Sequence, residues 1–205
     1  MGGGSMLGVG DYFERIVDVE VTADEAAALA ERVVARLVAR GVLVRETSRA
    51  GVYSLQVDEG YVAGADWGRV AQDWGADWQP GPVAVIVGRH PHHPGQGAIP
   101  PSAADCPHCD VTTVIIDYPQ QWEPDPAVWQ PFSDAIDDWQ ETGAGAVTCA
   151  TCGTASPVTT WGWADDFALG ALAFDFWGWP PLAGEFVTEF ADLLGHRVTH
   201  HTGKF

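Results

Sequence analysis

The chain has 205 residues, and its 28 acidic and 10 basic residues give a formal net charge of −18. Proteins that bind nucleic acids draw most of their affinity from Lys and Arg side chains that neutralise phosphates, so this charge argues against a nucleic-acid partner. No apolar stretch approaches the about 20 residues that a transmembrane helix needs, which predicts no membrane association. An acidic surface favours a basic partner, or simply keeps the protein in solution.

Residues 1–10 are predicted to be a disordered N-terminal segment. Residues 1–5 have the glycine-rich composition of an added linker, which would place the natural start at Met6. The segment has no basic region, apolar core or cleavage site, so no secretion signal is predicted and a cytoplasmic location is expected. In that compartment cysteines stay reduced, which favours metal binding over disulfides.

Residues 11–98 are predicted to form the first half of an α+β domain. Apolar and polar residues alternate over 15–21, which favours a half-buried strand. A capping box that starts at Thr22 begins a helix, and Gly41 is placed to end it. Residues 42–44 begin the next strand and complete a β-α-β unit.

The following segment gives weaker signals. Residues 51–57 could form a strand. Residues 80–82 break the segment, and residues 83–87 then predict a buried strand. Trp67, Trp74 and Trp78 recur at helical spacing, and such a stripe is more often part of a core than a ligand platform.

Three histidines follow the second of these strands, within the segment His90–His93. Neighbouring prolines and glycines predict an irregular exposed loop in which the histidines have no special role. Imidazole is also a common metal ligand, so a metal site is the alternative. The C-terminal histidines would contribute to such a site: His196, His200 and His201.

Residues 99–160 are predicted to be an inserted zinc-ribbon-like module. The only four cysteines form two Cys-x-x-Cys pairs, Cys106 with Cys109 and Cys149 with Cys152. Two such pairs supply the four thiolates of a tetrahedral, structural Zn²⁺ site. Redox catalysis by Cys-Pro-His-Cys is disfavoured, because the β-branched residues that follow predict a strand and a reactive cysteine needs a helix N-terminus.

The 39 residues between Cys109 and Cys149 exceed the usual separation in a zinc ribbon, and a helix is predicted within them. Apolar residues from Trp129 to Trp139 line one side of this helix. The other side is acidic: Asp134, Asp137, Asp138 and Glu141. A solvated helix face explains these carboxylates most simply, and electrostatic steering of a basic partner is the alternative.

Residues 161–205 are predicted to be the second half of the α+β domain. Residues 172–177 form an apolar run, interrupted only by Asp175, that predicts a strand buried on both faces. An amphipathic helix over 182–194 and a last strand over 196–201 follow. The two β-α-β units together supply four strands and two helices, the inventory of a ferredoxin-like or similar two-layer sandwich.

Trp161 and Trp163 would point the same way from a short strand. Two large rings on one face of an exposed segment form the kind of anchor that dominates protein interfaces. The alternative is that both rings close the cysteine module onto the domain core. Under the first hypothesis, the acidic row supplies the steering charge: Asp134, Asp137 and Asp138.

The C-terminal half carries a combination of short motifs: Cys-Pro-His-Cys, Cys-Ala-Thr-Cys-Gly, residues 176–182, residues 194–198 and residues 203–205. In these motifs the chain resembles a group of uncharacterised proteins from G+C-rich, actinobacteria-like bacteria. The resemblance covers roughly the last hundred residues. It implies the inserted zinc-ribbon-like module and assigns neither an activity nor catalytic residues.

These observations predict a non-catalytic, acidic binding protein that is stabilised by a structural zinc site with four cysteine ligands. Bacterial immunity proteins and antitoxins, which often face a basic protein partner, have this character. A metal-dependent enzyme that uses the His90–His93 segment and the C-terminal histidines is the alternative. The sequence has no nucleophile elbow, phosphate loop or His-Glu-x-x-His helix that would support catalysis.

Overall fold

The computed structural model describes residues 12–72, 75, 77–95 and 99–204, so the predicted disordered segment 1–10 lies outside the described residues. The described residues form a mixed α+β structure with three α-helices and antiparallel sheets. None of these helices has both the length and the apolar character that a bilayer span requires. In chain order the elements are β1 (Tyr12–Asp18), α1 (Ala23–Ala39), β2 (Leu43–Ser48), β3 (Gly60–Ala63), β4 (Val83–His92), β5 (Ala103–Asp105), β6 (Thr112–Val114), α2 (Pro126–Thr142), β7 (Ala146–Thr148), β8 (Ala155–Pro157), β9 (Gly162–Trp163), β10 (Ala168–Trp177), α3 (Gly184–Leu194) and β11 (Val198–Lys204).

The main sheet has six strands in the order β11-β1-β10-β4-β3-β2, with every neighbouring pair antiparallel. Helices α1 and α3 share one apolar core with one face of this sheet, called here the helical face. Phe174 and Phe176 of β10 contact Phe190 of α3 there, with ring centroids 4.9 and 6.2 Å apart. The opposite face carries His92, His201 and a buried ion pair, and is called here the histidine face.

Both predicted β-α-β units occur in the chain, but their strands are not neighbours in the sheet. β10 and β11 flank β1, and β1 is separated from β2 by β10, β4 and β3. The sheet therefore has six strands where four were expected. Of the two strands beyond those four, β4 contains the predicted strand at residues 83–87, and β3 was not predicted.

The segment between β2 and β4 contains two wrong predictions. Residues 51–57 do not form a strand, and instead cross the histidine face, where Val52 and Val57 pack against Phe13 and Trp177. The tryptophan stripe forms only a short 3₁₀ turn at Trp67–Arg69, and Trp74 lies outside the described residues.

The cysteine module lies between β4 and β10. Its strands form two hairpins, β5–β6 and β7–β8, and β9 pairs with β5, so the strand pairing of the module extends past residue 160. Helix α2 begins at Pro126, earlier than predicted, with the Asp125 side chain accepting from the N–H of Ala127. The module contacts the sheet through Arg89 of β4, which exchanges hydrogen bonds with Gln140 of α2.

A buried ion pair joins the two central strands. Arg15 of β1 and Asp175 of β10 are register partners, and Nε and Nη2 of Arg15 donate to the two carboxylate oxygens of Asp175. Nη1 of Arg15 donates to the carbonyl of His93 at 3.0 Å. Asp175 is fully buried and Arg15 is 7% exposed. Charges this deep are tolerated only when paired and hydrogen-bonded, so the pair disfavours any register that separates these two residues.

We expect Asp175→Ala to lower the free energy of unfolding by about 3–5 kcal/mol, because it leaves a buried guanidinium without its counter-charge. Urea denaturation followed by tryptophan fluorescence measures this loss. Replacing both partners by apolar residues, Arg15→Met with Asp175→Leu, should recover most of it.

The matched control is Asp58→Ala, which removes an exposed pair with Arg49 at 3.0 Å. This change should cost at most about 1 kcal/mol, because water already solvates both charges. If the two alanine variants lose equal stability, the buried pair does not have the structural importance assigned to it.

Candidate metal centre

The four cysteines converge on one point. Their sulfurs all lie within 4.8 Å of one another, although the two pairs are far apart in the chain. Cys106 Sγ is 3.9 Å from Cys152 Sγ, and Cys109 Sγ is 3.8 Å from Cys149 Sγ. Sulfurs held tetrahedrally at about 2.3 Å from one zinc ion lie about 3.8 Å apart. The spacing fits a single tetrahedral metal ion and is far too long for disulfide bonds.

The two Cys-x-x-Cys pairs occupy equivalent turns, one at the tip of each hairpin. In the first, the N–H of Cys106 donates to the carbonyl of Val111 at 3.1 Å, and the N–H of Asp110 donates to the carbonyl of Cys106 at 3.0 Å. In the second, Cys149 and Gly153 make the corresponding bonds at 3.0 and 2.9 Å.

Each turn requires a left-handed residue immediately after its second cysteine. Asp110 has φ +55° and Gly153 has φ +70°. Glycine adopts this conformation without strain, and aspartate is among the few other residues that tolerate it. The repeated geometry explains why both pairs aim their sulfurs at the same point.

The protonation of the thiols is set by the same turns. Hydrogen bonds from the side chain and backbone of Thr154 lower the pKa of Cys152 to about 6. Backbone N–H groups of Cys152 and Thr151 lower the pKa of Cys149. The Val111 backbone lowers the pKa of Cys109, but desolvation and the other three thiols outweigh it and raise this pKa to about 12. Four neighbouring sulfurs do not ionise together without a cation, and a metal ion supplies that charge.

Beneath the sulfurs lies the apolar core of the module. Cys106 and Cys149 are 1% and 2% exposed, and they share this core with Phe132 and Trp139 of α2. Trp161 packs edge-on against Phe132, with ring centroids 4.9 Å apart. Strands and helix of the module are therefore organised around the cysteine cluster.

Trp161 and Trp163 are placed as structural residues. Trp161 is 4% exposed, and Trp163 packs against Phe132 and Phe167 at 5.5 and 5.0 Å. This burial matches the alternative in which the rings close the module onto the domain. Trp161 has no exposed ring to offer a partner, so the anchor hypothesis needs correction at this residue.

The acidic residues of α2 are exposed, as the sequence predicts: Asp134, Asp137 and Asp138. Sequence reasoning missed an aromatic residue of the module that is far more exposed than Trp161. Trp122, in the connection between β6 and α2, is 76% exposed and packs edge-on against Tyr118, with ring centroids 5.0 Å apart. Its neighbours Gln121, Glu123 and Pro124 are a local signal for an exposed segment.

The histidine segment is not the exposed loop that its prolines and glycines predict. His90–His92 belong to β4 and pair with residues 168–170 of β10, and His92 is 2% exposed. Pairing with a buried central strand overrides the local signal for a loop. Gly88, with φ +118°, lies at the register shift that turns this half of β4.

The C-terminal histidines divide between the two faces of the sheet. His201 is the register partner of Arg15 and lies on the histidine face. His196 Nδ1 is 2.8 Å from Asp18 Oδ2, and His200 Nε2 is 2.7 Å from Glu14 Oε2. Both of those carboxylates are on the helical face. His196 and His200 are thus partners of buried carboxylates.

His92 and His201 are buried beside the ion pair. Burial, followed by the charge of Arg15, lowers the pKa of His92 well below its ordinary value and lowers that of His201 to about 3. Nε2 of His92 and both ring nitrogens of His201 have no hydrogen-bond partner among the described residues. Within the described ranges only the cysteines form a group of three or more close metal-ligating atoms, so the histidines add no second ligand set.

No protein-family model, curated protein or solved structure matches this chain. The chemistry of the site therefore rests on its own residues.

We expect the stability of the protein to fall as the pH decreases from about 6.5 towards 3, because the unfolded chain binds a proton on His201 that the folded chain does not. One such proton contributes a slope of up to about 1.4 kcal/mol per pH unit. In His201→Gln this contribution is absent, so the stability of the variant should depend less steeply on pH between 6.5 and 4.

Urea denaturation of both proteins across this range checks the prediction. Above pH 7.5 the two profiles should run parallel, because the histidine is neutral in both states, and this range is the internal control. Equal slopes below pH 6.5 would show that His201 titrates normally in the folded protein.

Proposed function

We propose that this chain is a non-catalytic binding protein whose four cysteines hold a structural zinc ion in a zinc-ribbon-like module. The observation that carries the proposal is the convergence of four sulfurs at the separations of a tetrahedral site. All-thiolate tetrahedral donor sets are typical of zinc. Four protein ligands leave no open coordination position for a substrate, which favours a structural role over a catalytic one.

The partner is a basic protein. All ten Lys and Arg residues of the chain lie outside residues 90–196, so the whole module carries carboxylates without basic side chains to balance them. A bound Zn²⁺ would leave the cysteine site with negative charge as well. The negative electrostatic potential of such a surface accelerates association with basic partners and contributes to specificity. The same charge disfavours nucleic acid.

Bacterial immunity proteins and antitoxins fit this combination of acidity and small size, and the reduced thiols fit a cytoplasmic location. The strands β11-β1-β10-β4, with α1 and α3 on one face, support a ferredoxin-like two-layer core, to which β2 and β3 are added at one edge. The alternative of a metal-dependent enzyme at the histidines lacks a convergent ligand set among the described residues.

We expect the protein, purified without added metal, to contain one equivalent of zinc by elemental analysis. Cys149→Ser should lose the metal and unfold the module, because zinc binding contributes on the order of 10 kcal/mol to the folding of small zinc domains. Loss of the near-ultraviolet circular dichroism of the module tryptophans reports the unfolding. His108→Ala is the matched control, since this residue lies between two ligands without being one.

The zinc proposal fails if the native protein contains no zinc and all four thiols react at once with a thiol reagent. It also fails if Cys149→Ser retains both the metal and the tryptophan signal.

The basic-partner proposal is tested with a fluorescent peptide of alternating Arg and Gly. We expect the triple variant Asp134→Asn, Asp137→Asn and Asp138→Asn to bind this peptide about tenfold more weakly at low salt, and the difference to vanish at about 0.5 M salt, where the screening length is only a few ångströms. Trp122→Ala should weaken binding at both salt concentrations, because an arginine–indole contact is partly apolar.

Leu55→Ala is the control for Trp122→Ala, because Leu55 is 75% exposed and lies outside the module. A triple variant with the same charge change outside the module, Asp24→Asn, Glu46→Gln and Glu185→Gln, controls for net charge. Equal losses in the two triple variants would contradict a partner site on the module.

A further inference from the structure

Strand β4 lies inside the main sheet, between β10 and β3, but part of its edge towards β3 is unpaired. The carbonyl of Pro82 accepts a hydrogen bond from the N–H of Trp177 at 3.1 Å, so the backbone of Pro82 is directed towards β10. Every second residue of an antiparallel strand faces the same neighbour, so Ala84 and Ile86 also direct their backbone groups to β10. Val83, Val85 and Val87 therefore direct theirs to the other side, towards β3.

The β3 strand covers only the first of these three residues. Tyr61 pairs with Val83, and no further pairing joins β3 to β4 in the described part of the chain. Among the described residues, no backbone or side-chain group accepts a hydrogen bond from the N–H of Val85 or of Val87. Residues 56–59, which precede β3, line a groove together with Val85 and Val87 instead of pairing with them.

The groove has a volume of about 430 Å³. Its floor is apolar, with Val85 and Val87 on one side and Ala30 and Val34 of α1 below. Val87 is 42% exposed. The opposite wall is the segment 56–61, which leads into β3.

The rim of the groove is acidic. Glu31, Asp58 and Glu59 line it, and no Lys, Arg or His does so among the described residues. Arg49 reaches Asp58 from outside, but both side chains of that pair are more than 70% exposed, so water screens it.

The outer edges of the same sheet are protected differently. β2 carries Arg45 and Glu46, and β11 carries Lys204, and charged side chains of this kind discourage the addition of a further strand. At the free edge of β4, Val85 and Val87 carry no charge, and the next charged residue of the strand, Arg89, is hydrogen-bonded to Gln140 of α2. An unprotected strand edge with an apolar floor is the geometry that accepts an extended peptide.

We propose that the groove beside Val85 and Val87 binds an extended, basic segment of a partner protein as an added strand. The inference rests on the proposed function and adds a second contact surface for the same basic partner, because the groove lies in the sheet, outside the module. Backbone groups of the segment pair with Val85 and Val87, alternate apolar side chains contact the valine floor, and Lys or Arg side chains meet Glu31, Asp58 and Glu59.

The premise is tested first by amide hydrogen exchange of the free protein, measured by NMR. The N–H groups of Val85 and Val87 should exchange quickly, and those of Ala84 and Ile86, which face β10, slowly. Addition of the acetylated and amidated hexapeptide Lys-Val-Arg-Val-Lys-Val should then slow the exchange of Val85 and Val87. The same hexapeptide with N-methyl groups on alternate residues should not, because it cannot donate to the edge.

Val87→Pro removes one N–H from the groove edge and leaves the bonds to β10 in place, since proline is tolerated on a free edge. We expect it to weaken binding of the hexapeptide about tenfold, the usual effect of one lost hydrogen bond. Val87→Ala keeps the N–H and is the matched control, with a smaller loss. Thermal melting of both variants verifies that they fold.

Slow exchange at Val85 and Val87 in the free protein would overturn the proposal, as would equal binding of the hexapeptide by Val87→Pro and the wild type. If the amide exchange of Val85 and Val87 slows as the protein concentration rises without peptide, a second copy of the chain occupies the groove. That result also overturns the proposal. If the Arg-Gly peptide binds and the hexapeptide does not, this inference fails and the proposed function stands. If neither basic peptide binds, this inference and the basic-partner proposal are both wrong.

Discussion

The buried ion pair between Arg15 and Asp175 is the interaction on which the arrangement of the sheet depends. The two residues are 160 positions apart and join the first strand of the chain to its central strand. A charged pair in this position adds little net stability over well-packed apolar residues, but it penalises every register in which one partner is left alone. The sheet can then be completed on both sides of this fixed centre, with β11 beside β1 and β4 beside β10.

The cysteine cluster plays the corresponding part in the module. Its strands are three residues or shorter, and hairpins of that length are not stable by themselves in water. The four sulfurs bring two such hairpins together, and α2 covers the apolar side of the junction. Two different kinds of charge neutralisation thus organise the two parts of the chain: an internal ion pair in the sheet and, as proposed, a metal cation in the module.

Much of the site and part of the fold could be predicted from the sequence. Cys-x-x-Cys spacing is a local property, and α1 is marked by local signals at both ends, so both were found. The buried charges of β1 were not, because charged residues in a strand are ordinarily assigned to solvent. Here Arg15 is buried on the histidine face, and Glu14 and Asp18 are buried on the helical face. Their partners lie near the other end of the chain: Asp175, His196 and His200. His92 was misplaced for the same reason, since only pairing with β10 makes its proline-rich surroundings a strand.

The connection from β4 to β10 has a consequence for the history of this architecture. His92, at the end of β4, and Ala168, at the start of β10, are directly paired in the sheet. The two strands would form an ordinary hairpin if a tight turn replaced everything between these residues. The module therefore occupies the position of a loop tip, the place where proteins most readily accept inserted domains. A sheet without the module is topologically complete, so the module could be gained or lost in a single genetic step.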